Sequence, residues 1–347
     1  MTVRWILRLL LSLSIVTMAM ATSCSSQAAA LDAVPDAVLG KPDFVTPAGG
    51  AASSTNLLRP GGLAEDPVSG ELWVADPGAN RVLRFASARA FANGEAANAV
   101  LGQADFSASA ANRGGPAAAG TLARPTGLAV DAARRLYVAD TGNHRVLVFG
   151  PPYADGMAAR VVVGQDDFAG ALANRGAPAP TSESLAAPQG LALDLVGNLW
   201  VADTGNARVL QFSGYIEGQN RSPDGVLGQP GFTTAAANLT ARGLSAPVGL
   251  AIDGDSHLWV VDRGHHRVLK YPPTPLLTTN AAAVGVLCQG DFVTAVSATS
   301  ATGCLAPAGV AIDGEGRVHV TDSGNHRVLR FDAPAPGAAA DAILGQA

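Results

Sequence analysis

Short apolar runs of three to six residues, set off by polar turns, recur along most of the chain. Gly127 to Asp131 is an apolar stretch closed by a polar turn, and Leu136 to Asp140 alternates as a half-buried strand does. Arg145 to Phe149 follows a tight Thr-Gly-Asn turn, and Arg160 to Gly164 supplies a fourth run. This quartet reads as four short antiparallel strands. It repeats. Blocks beginning at Pro60, Pro125, Pro188, Pro247 and Pro307 each carry a Gly-Leu or Gly-Val pair followed by Ala, an Asp-x-Gly turn and an Arg-Val-Leu-x-aromatic strand. The Val-Leu-Gly motif at Val38 to Gly40 returns with its last residue at Gly102, Gly164, Gly228, Cys288 and Gly345, spaced 62, 62, 64, 60 and 57 residues apart.

One four-stranded unit would leave two apolar faces wet, so the units must stack. A fixed repeat of this kind, closed around an axis, predicts an all-β fold: a β-propeller of four-stranded blades. Residues 38–347 hold five units, so five blades are favoured, with six as the alternative if an excursion between blades adds strands. Hydrophobic residues make up 48% of the chain and charged residues 15%, with 40 Gly and 22 Pro. That is too apolar for disorder and too rich in turn residues for a helical bundle.

Ala139 to Val146 (Ala-Asp-Thr-Gly-Asn-His-Arg-Val), after Pro125-Thr126-Gly127-Leu128-Ala129, resembles the NHL-repeat family of β-propellers. The resemblance recurs five times and implies the same propeller fold. The unit here is about 20 residues longer than the family's usual one, and six blades are the commoner family arrangement. Catalytic propellers of this type imply a metal-dependent lyase or hydrolase with His, Asp, Glu or Asn ligands in the central channel. In this chain Glu65 is the only ionisable residue at the fourth position of the innermost strands.

Residues 1–23 read as an export signal. Arg4 and Arg8 precede an apolar run, Leu9 to Met20, too short to span a bilayer. Ala21-Thr22-Ser23 then leads to Cys24 in a pattern similar to the bacterial lipobox, which implies a lipidated N-terminus and a cell-envelope location, with ordinary cleavage and secretion as the alternative. Residues 24–37 form a tether. Loss of the signal removes two arginines and no acid, taking the net charge from -5 to -7. That balance, with export, argues against a nucleic-acid partner.

Asp76, Asp140, Asp203, Asp262 and Asp322 each stand five residues before an arginine, at Arg81, Arg145, Arg208, Arg267 and Arg327. A carboxylate and a guanidinium across a tight turn can pin a hairpin, and a ring of ligand sites is the alternative. Asp66, Asp131, Asp194, Asp253 and Asp313 read as turn chemistry, and Trp73, Tyr137, Trp200, Trp259 and His319 as packing between blades. His144, His266 and His326 share a turn slot. The fourth blade departs from the pattern: Arg263-Gly264-His265-His266 replaces Thr-Gly-Asn-His.

Because Arg263, His265 and His266 lie on the end where the 2–3 turns and the excursions emerge, they are the candidate ligand contacts. The expected function is a non-enzymatic binding or scaffold module for a protein, peptide or glycan, without metal or cofactor. Finally, Cys288 stands in a slot that is otherwise Gly, and Cys304 in one that is otherwise Leu57, Leu122, Leu185 or Leu244. Two such exceptions in one repeat, in an exported chain, predict a disulfide.

Overall fold

The computed structural model describes residues 35–47, 49–214 and 222–345, and its contacts divide the chain into two units, Met1–Asp36 and Ala37–Ala347. The signal segment and Cys24 lie outside the described residues. Among those described, no helix is long and apolar enough to cross a membrane.

The second unit is an all-β, five-bladed propeller of four-stranded antiparallel blades. Blade one is β1 (Leu63–Glu65), β2 (Leu72–Asp76), β3 (Arg81–Phe85) and β4 (Ala99–Leu101). Blade two is β5 (Pro125–Val130), β6 (Leu136–Asp140), β7 (Arg145–Phe149) and β8 (Val161–Val163). Blade three is β9 (Pro188–Leu193), β10 (Leu199–Asp203), β11 (Arg208–Phe212) and β12 (Gly225–Leu227). Blade four is β13 (Pro247–Ile252), β14 (His257–Asp262), β15 (Arg267–Pro273) and β16 (Gly285–Leu287). Blade five is β17 (Gly309–Ile312), β18 (Val318–Asp322), β19 (Arg327–Phe331) and β20 (Ala342–Gly345). Each blade pairs in chain order, with Asp and Arg of the central hairpin directly opposite, as in Asp140↔Arg145.

Alternation along each strand sends its two sets of side chains to the two faces of the blade. Trp73, Ala75, Val82 and Leu101 pack from blade one against Leu128, Leu136, Val138, Leu147 and Phe149 of blade two. The aromatic residue at the fifth position of each third strand (Phe85, Phe149, Phe212, Tyr271, Phe331) is at most 1% exposed. Each such burial stabilises by roughly 1.5–3 kcal/mol.

Glycine sets the spacing of the innermost strands. A Cβ on Gly62 would lie 2.3 Å from Thr126 O, on Gly127 2.0 Å from Gln189 O, and on Gly190 2.3 Å from Val248 O. On Gly249 it would lie 3.0 Å from Ala308 O. Any other residue would force neighbouring blades apart at the axis, which accounts for Gly as the second residue after Pro60, Pro125, Pro188 and Pro247. At Gly309 the same Cβ would meet only its own blade, at Thr321 Oγ1, 3.1 Å away.

A second glycine series ends the outer strands with positive φ, from 81° at Gly40 to 98° at Gly345. Each of these glycines but the last lies against a leucine: a Cβ on Gly102, Gly164 or Gly228 would come within 2.5–2.6 Å of Leu122, Leu185 or Leu244. In the fourth blade both members of this pair change together. Cys288, at φ 68°, is joined by a disulfide to Cys304, with the Cα atoms 5.2 Å apart.

Two predictions follow from this packing. Gly190→Ala should destabilise the propeller by about 1–3 kcal/mol or more through overpacking, whereas Gly309→Ala should change stability far less; urea denaturation of both variants checks this. Cys288→Gly with Cys304→Leu restores the pair used by the other blades. It should therefore retain more stability than Cys304→Ala, which loses about 3 kcal/mol of loop restriction on the chain-entropy account and leaves a cavity as well; thermal melts under non-reducing conditions compare them.

Candidate functional site

The Asp–Arg pairs are buried and tie the excursions to the blades. Arg145 donates from Nε to Asp140 Oδ2 at 2.8 Å, from Nη1 to the Phe168 carbonyl, and from Nη2 to the carbonyls of Ala118 and Thr121, both at 3.0 Å. Asp140 accepts further from the Ala123 amide at 2.7 Å and from Asn143 Nδ2 at 2.7 Å. The arrangement repeats at Arg81, Arg208 and Arg267, each wholly buried. Burial pushes the carboxyls of Asp140 and Asp203 up, opposed by the guanidiniums of Arg145 and Arg208 and by these amide donors. With their bonding capacity filled by the scaffold, these groups are structural.

A further repeated residue plays the same part. Gln103, Gln165, Gln229 and Gln289, each following the outer-strand turn, are buried and donate to a carbonyl of the adjacent 2–3 turn: Asn80, His144, Ala207 and His266. Their signal in the sequence is the Gly-Gln or Cys-Gln pair. The aspartates of the 1–2 turns cap the central aromatic slot: Asp131 accepts from Tyr137 Oη at 3.1 Å, Asp253 from Trp259 Nε1 at 3.0 Å, and Asp313 pairs with His319 Nε2 at 3.1 Å.

Three of the four histidines of the 2–3 turns are likewise engaged, His326 being exposed. The Ala187 amide donates to His144 Nδ1 at 2.8 Å and the Ala306 amide to His266 Nδ1 at 3.0 Å, as the Arg124 amide does to Asn80 Oδ1 in blade one. His265 Nδ1 donates to Asp262 Oδ2 at 2.8 Å, the bond that Asn143, Asn206 and Asn325 make to their own aspartates. The two imidazoles of blade four thus occupy scaffold positions.

Arg263 does not. In blades two and three its slot is Thr141 and Thr204, whose hydroxyls donate to the Pro188 and Pro247 carbonyls of the next blade, both at 2.6 Å. Arg263 is exposed, its side chain makes no hydrogen bond or ion pair among the described residues, and it lines a central cavity of about 430 Å³. The cavity is walled by the starts of the innermost strands. The variable residue of each Pro-x-Gly motif (Gly61, Thr126, Gln189, Val248, Ala308) faces it, and Arg263 is the one charged residue in its lining. Sequence reasoning missed this variable position, although a changing residue inside an otherwise repeated motif was its visible sign. Among the described residues no group of three or more His, Cys, Asp or Glu could hold a metal ion.

His144 generates a pH prediction. Burial holds its pKa below the ordinary value, and the bond from Ala187 requires an unprotonated Nδ1. Above about pH 6.5 both folded and unfolded states are neutral and stability is full. As pH falls below that, the unfolded chain takes up the proton first and stability declines, levelling once the folded ring protonates, by about 1.4 kcal/mol per unit of pKa lowering. His144→Asn, which places the Asn80 side chain in the slot, should flatten this part of the profile; melting temperatures of both proteins from pH 8 to pH 5 measure the difference.

Comparisons with known proteins agree with this architecture. The NHL repeat model matches residues 122–149, 244–271 and 306–331. No curated protein matches the chain in sequence. Among solved structures, the nidogen/laminin complex aligns with TM-score 0.51 and 20% identity over 83% of this chain and 80% of that one. A streptogramin B lyase aligns with TM-score 0.46 and 13% identity over 85% of this chain and 70% of that one. A virginiamycin B lyase from Staphylococcus aureus aligns with TM-score 0.43 and 12% identity over 80% and 83%. At 20% identity the likeness to the nidogen/laminin complex is one of fold. The chain is a five-bladed β-propeller carrying NHL repeats.

Proposed function

We propose that the protein is a non-enzymatic binding or scaffold module held outside the cytoplasm by a lipid on Cys24, and that it takes an acidic group of a peptide or glycan partner at the central cavity. Arg263 carries the reading. A threonine that links blades elsewhere is replaced here by an exposed guanidinium, at the cost of an inter-blade hydrogen bond and with no scaffold partner gained. A guanidinium over a cavity with no carboxylate in its lining is suited to a carboxylate or sulfate, which it can grip through two parallel N–H bonds. The lining offers neither imidazole nor carboxylate, the donors that a metal-dependent lyase or hydrolase would need, and this favours binding over catalysis.

Titration calorimetry of the full chain with uronate oligosaccharides and with acidic peptides tests the site. Arg263→Ala should weaken binding about 10- to 100-fold, the effect of losing a hydrogen bond to a charged group, while His266→Asn leaves it unchanged. Affinity indifferent to Arg263 would move the site elsewhere. Mass spectrometry of the native N-terminus tests the anchor separately: a lipid on Cys24 is expected, and a free Cys24 thiol or cleavage at another residue would remove it.

A further inference from the structure

The ring of blades has one seam unlike the other four. On the face that each blade turns toward its successor, Leu101, Val163, Leu227 and Leu287 are at most 1% exposed, yet Leu344 of blade five is 37% exposed. Thr321 is exposed where Ala75, Ala139, Ala202 and Val261 are fully buried. Across the seam Leu63 of blade one is 63% exposed, while of its counterparts Leu128 and Leu191 are 6% and 7% and Leu250 and Val310 are half-buried. The close glycine-to-carbonyl approach that joins β1 to β5, β5 to β9, β9 to β13 and β13 to β17 is absent at Gly309.

Residues 37–40 sit beside this seam. In the ring, the middle residue of an outer strand is bonded to the 3–4 loop of the next blade: the Val100 amide donates to Asp155 Oδ1 at 2.9 Å, and the Gly156 amide donates to the Val100 carbonyl at 2.9 Å. Val38 repeats both bonds on blade one, to Asn93 Oδ1 at 2.8 Å and from the Gly94 amide at 3.2 Å. Gly40 repeats the positive φ and the approach to a leucine, here Leu57. Ala37–Gly40 therefore holds the station of an outer strand packed on blade one, yet among the described residues no strand pairs with its inner side.

We infer that the seam is a vacant blade position with its outer strand already in place, and that it binds a three-stranded antiparallel β-meander of the same repeat type supplied by a partner polypeptide. The third strand of that meander pairs with Ala37–Gly40 by strand addition. One of its faces covers Thr321, Val328 and Leu344, and the other covers Leu63. The occupant is defined by continuity with the interface already used four times in the ring: glycine at its innermost strand, small and branched apolar residues on its faces. Leu63 and Thr321 also line the Arg263 cavity, whereas Leu344 and Ala37–Gly40 do not, so Arg263→Ala and Leu344→Asp test the two assignments separately.

The probe is a synthetic peptide with the sequence of residues 125–150, added to the full chain, together with a second form in which the same segment is fused after Ala347 through a flexible linker, raising its effective concentration to the millimolar range. Expected are one peptide per chain, slowed amide exchange at residues 38–40 and at β19, a higher melting temperature for the fusion, and loss of all three with Leu344→Asp. Arg263→Ala should leave them intact. A fusion that neither raises the melting temperature nor protects residues 38–40 overturns the proposal. So does a dimer of the unmodified chain that Leu344→Asp dissociates and the peptide does not compete with, since the occupant would then be a second copy.

Discussion

The buried aspartate–arginine pair of each central hairpin is the interaction on which the propeller depends. Desolvating two charges costs several kcal/mol per ion, and the fold meets that cost by using nearly every donor and acceptor the pair has. Arg145 reaches back to the excursion that enters its blade, at Ala118 and Thr121, and forward to the one that leaves it, at Phe168. In blades one to four, one side chain therefore fixes both long irregular segments and the turn between them, and in blade five Arg327 holds the entering one. Without it, stretches rich in Ala, Ser and Gly have little apolar area with which to order themselves. The loop face is tied down by charge buried beneath it.

This dependence explains why most polar residues that attract attention in the sequence are unavailable for chemistry. Asp140, Asn143, His144 and Gln165 all lie near the loop face, and each is held by backbone or side-chain partners. His265 and His266 differ in type from their counterparts in some blades while making the same bonds. A departure from a repeat marks function only when the scaffold bond is lost as well, and Arg263 meets that condition. The Cys288–Cys304 pair is the reverse case: a side chain enters a glycine slot, and the leucine it would strike is replaced by the partner to which it is bonded.

The ring is also unequal in a way that five similar units do not foretell. Identical local patterns place Leu101 and Leu344 at the same point of an outer strand, yet one is buried and the other is not, because burial there is conferred by the neighbouring blade. Residues 37–40 extend the point: their sequence matches the other outer strands and their bonds to blade one match too, while among the described residues no sheet forms around them.

Much of the architecture was legible from residues alone. Turn glycines, alternating strands and a repeat of constant order determined four-stranded blades and favoured five over six, since each strand is short, local and joined by turns whose residues permit few conformations. The Asp–Arg hairpins could be read for the same reason, their members being five residues apart, and the cysteine pair because two slots of one repeat changed together. Only the tertiary structure decided which side chains are spent on the scaffold and which remain open. The carbonyls bound by Arg145 lie 23 to 27 residues away, the acceptor of Thr141 lies in the next blade, and the exposure of Arg263 follows from what its neighbours leave unbonded. Local pattern specifies a blade, whereas the availability of a polar group depends on partners that ring closure brings together from distant parts of the chain.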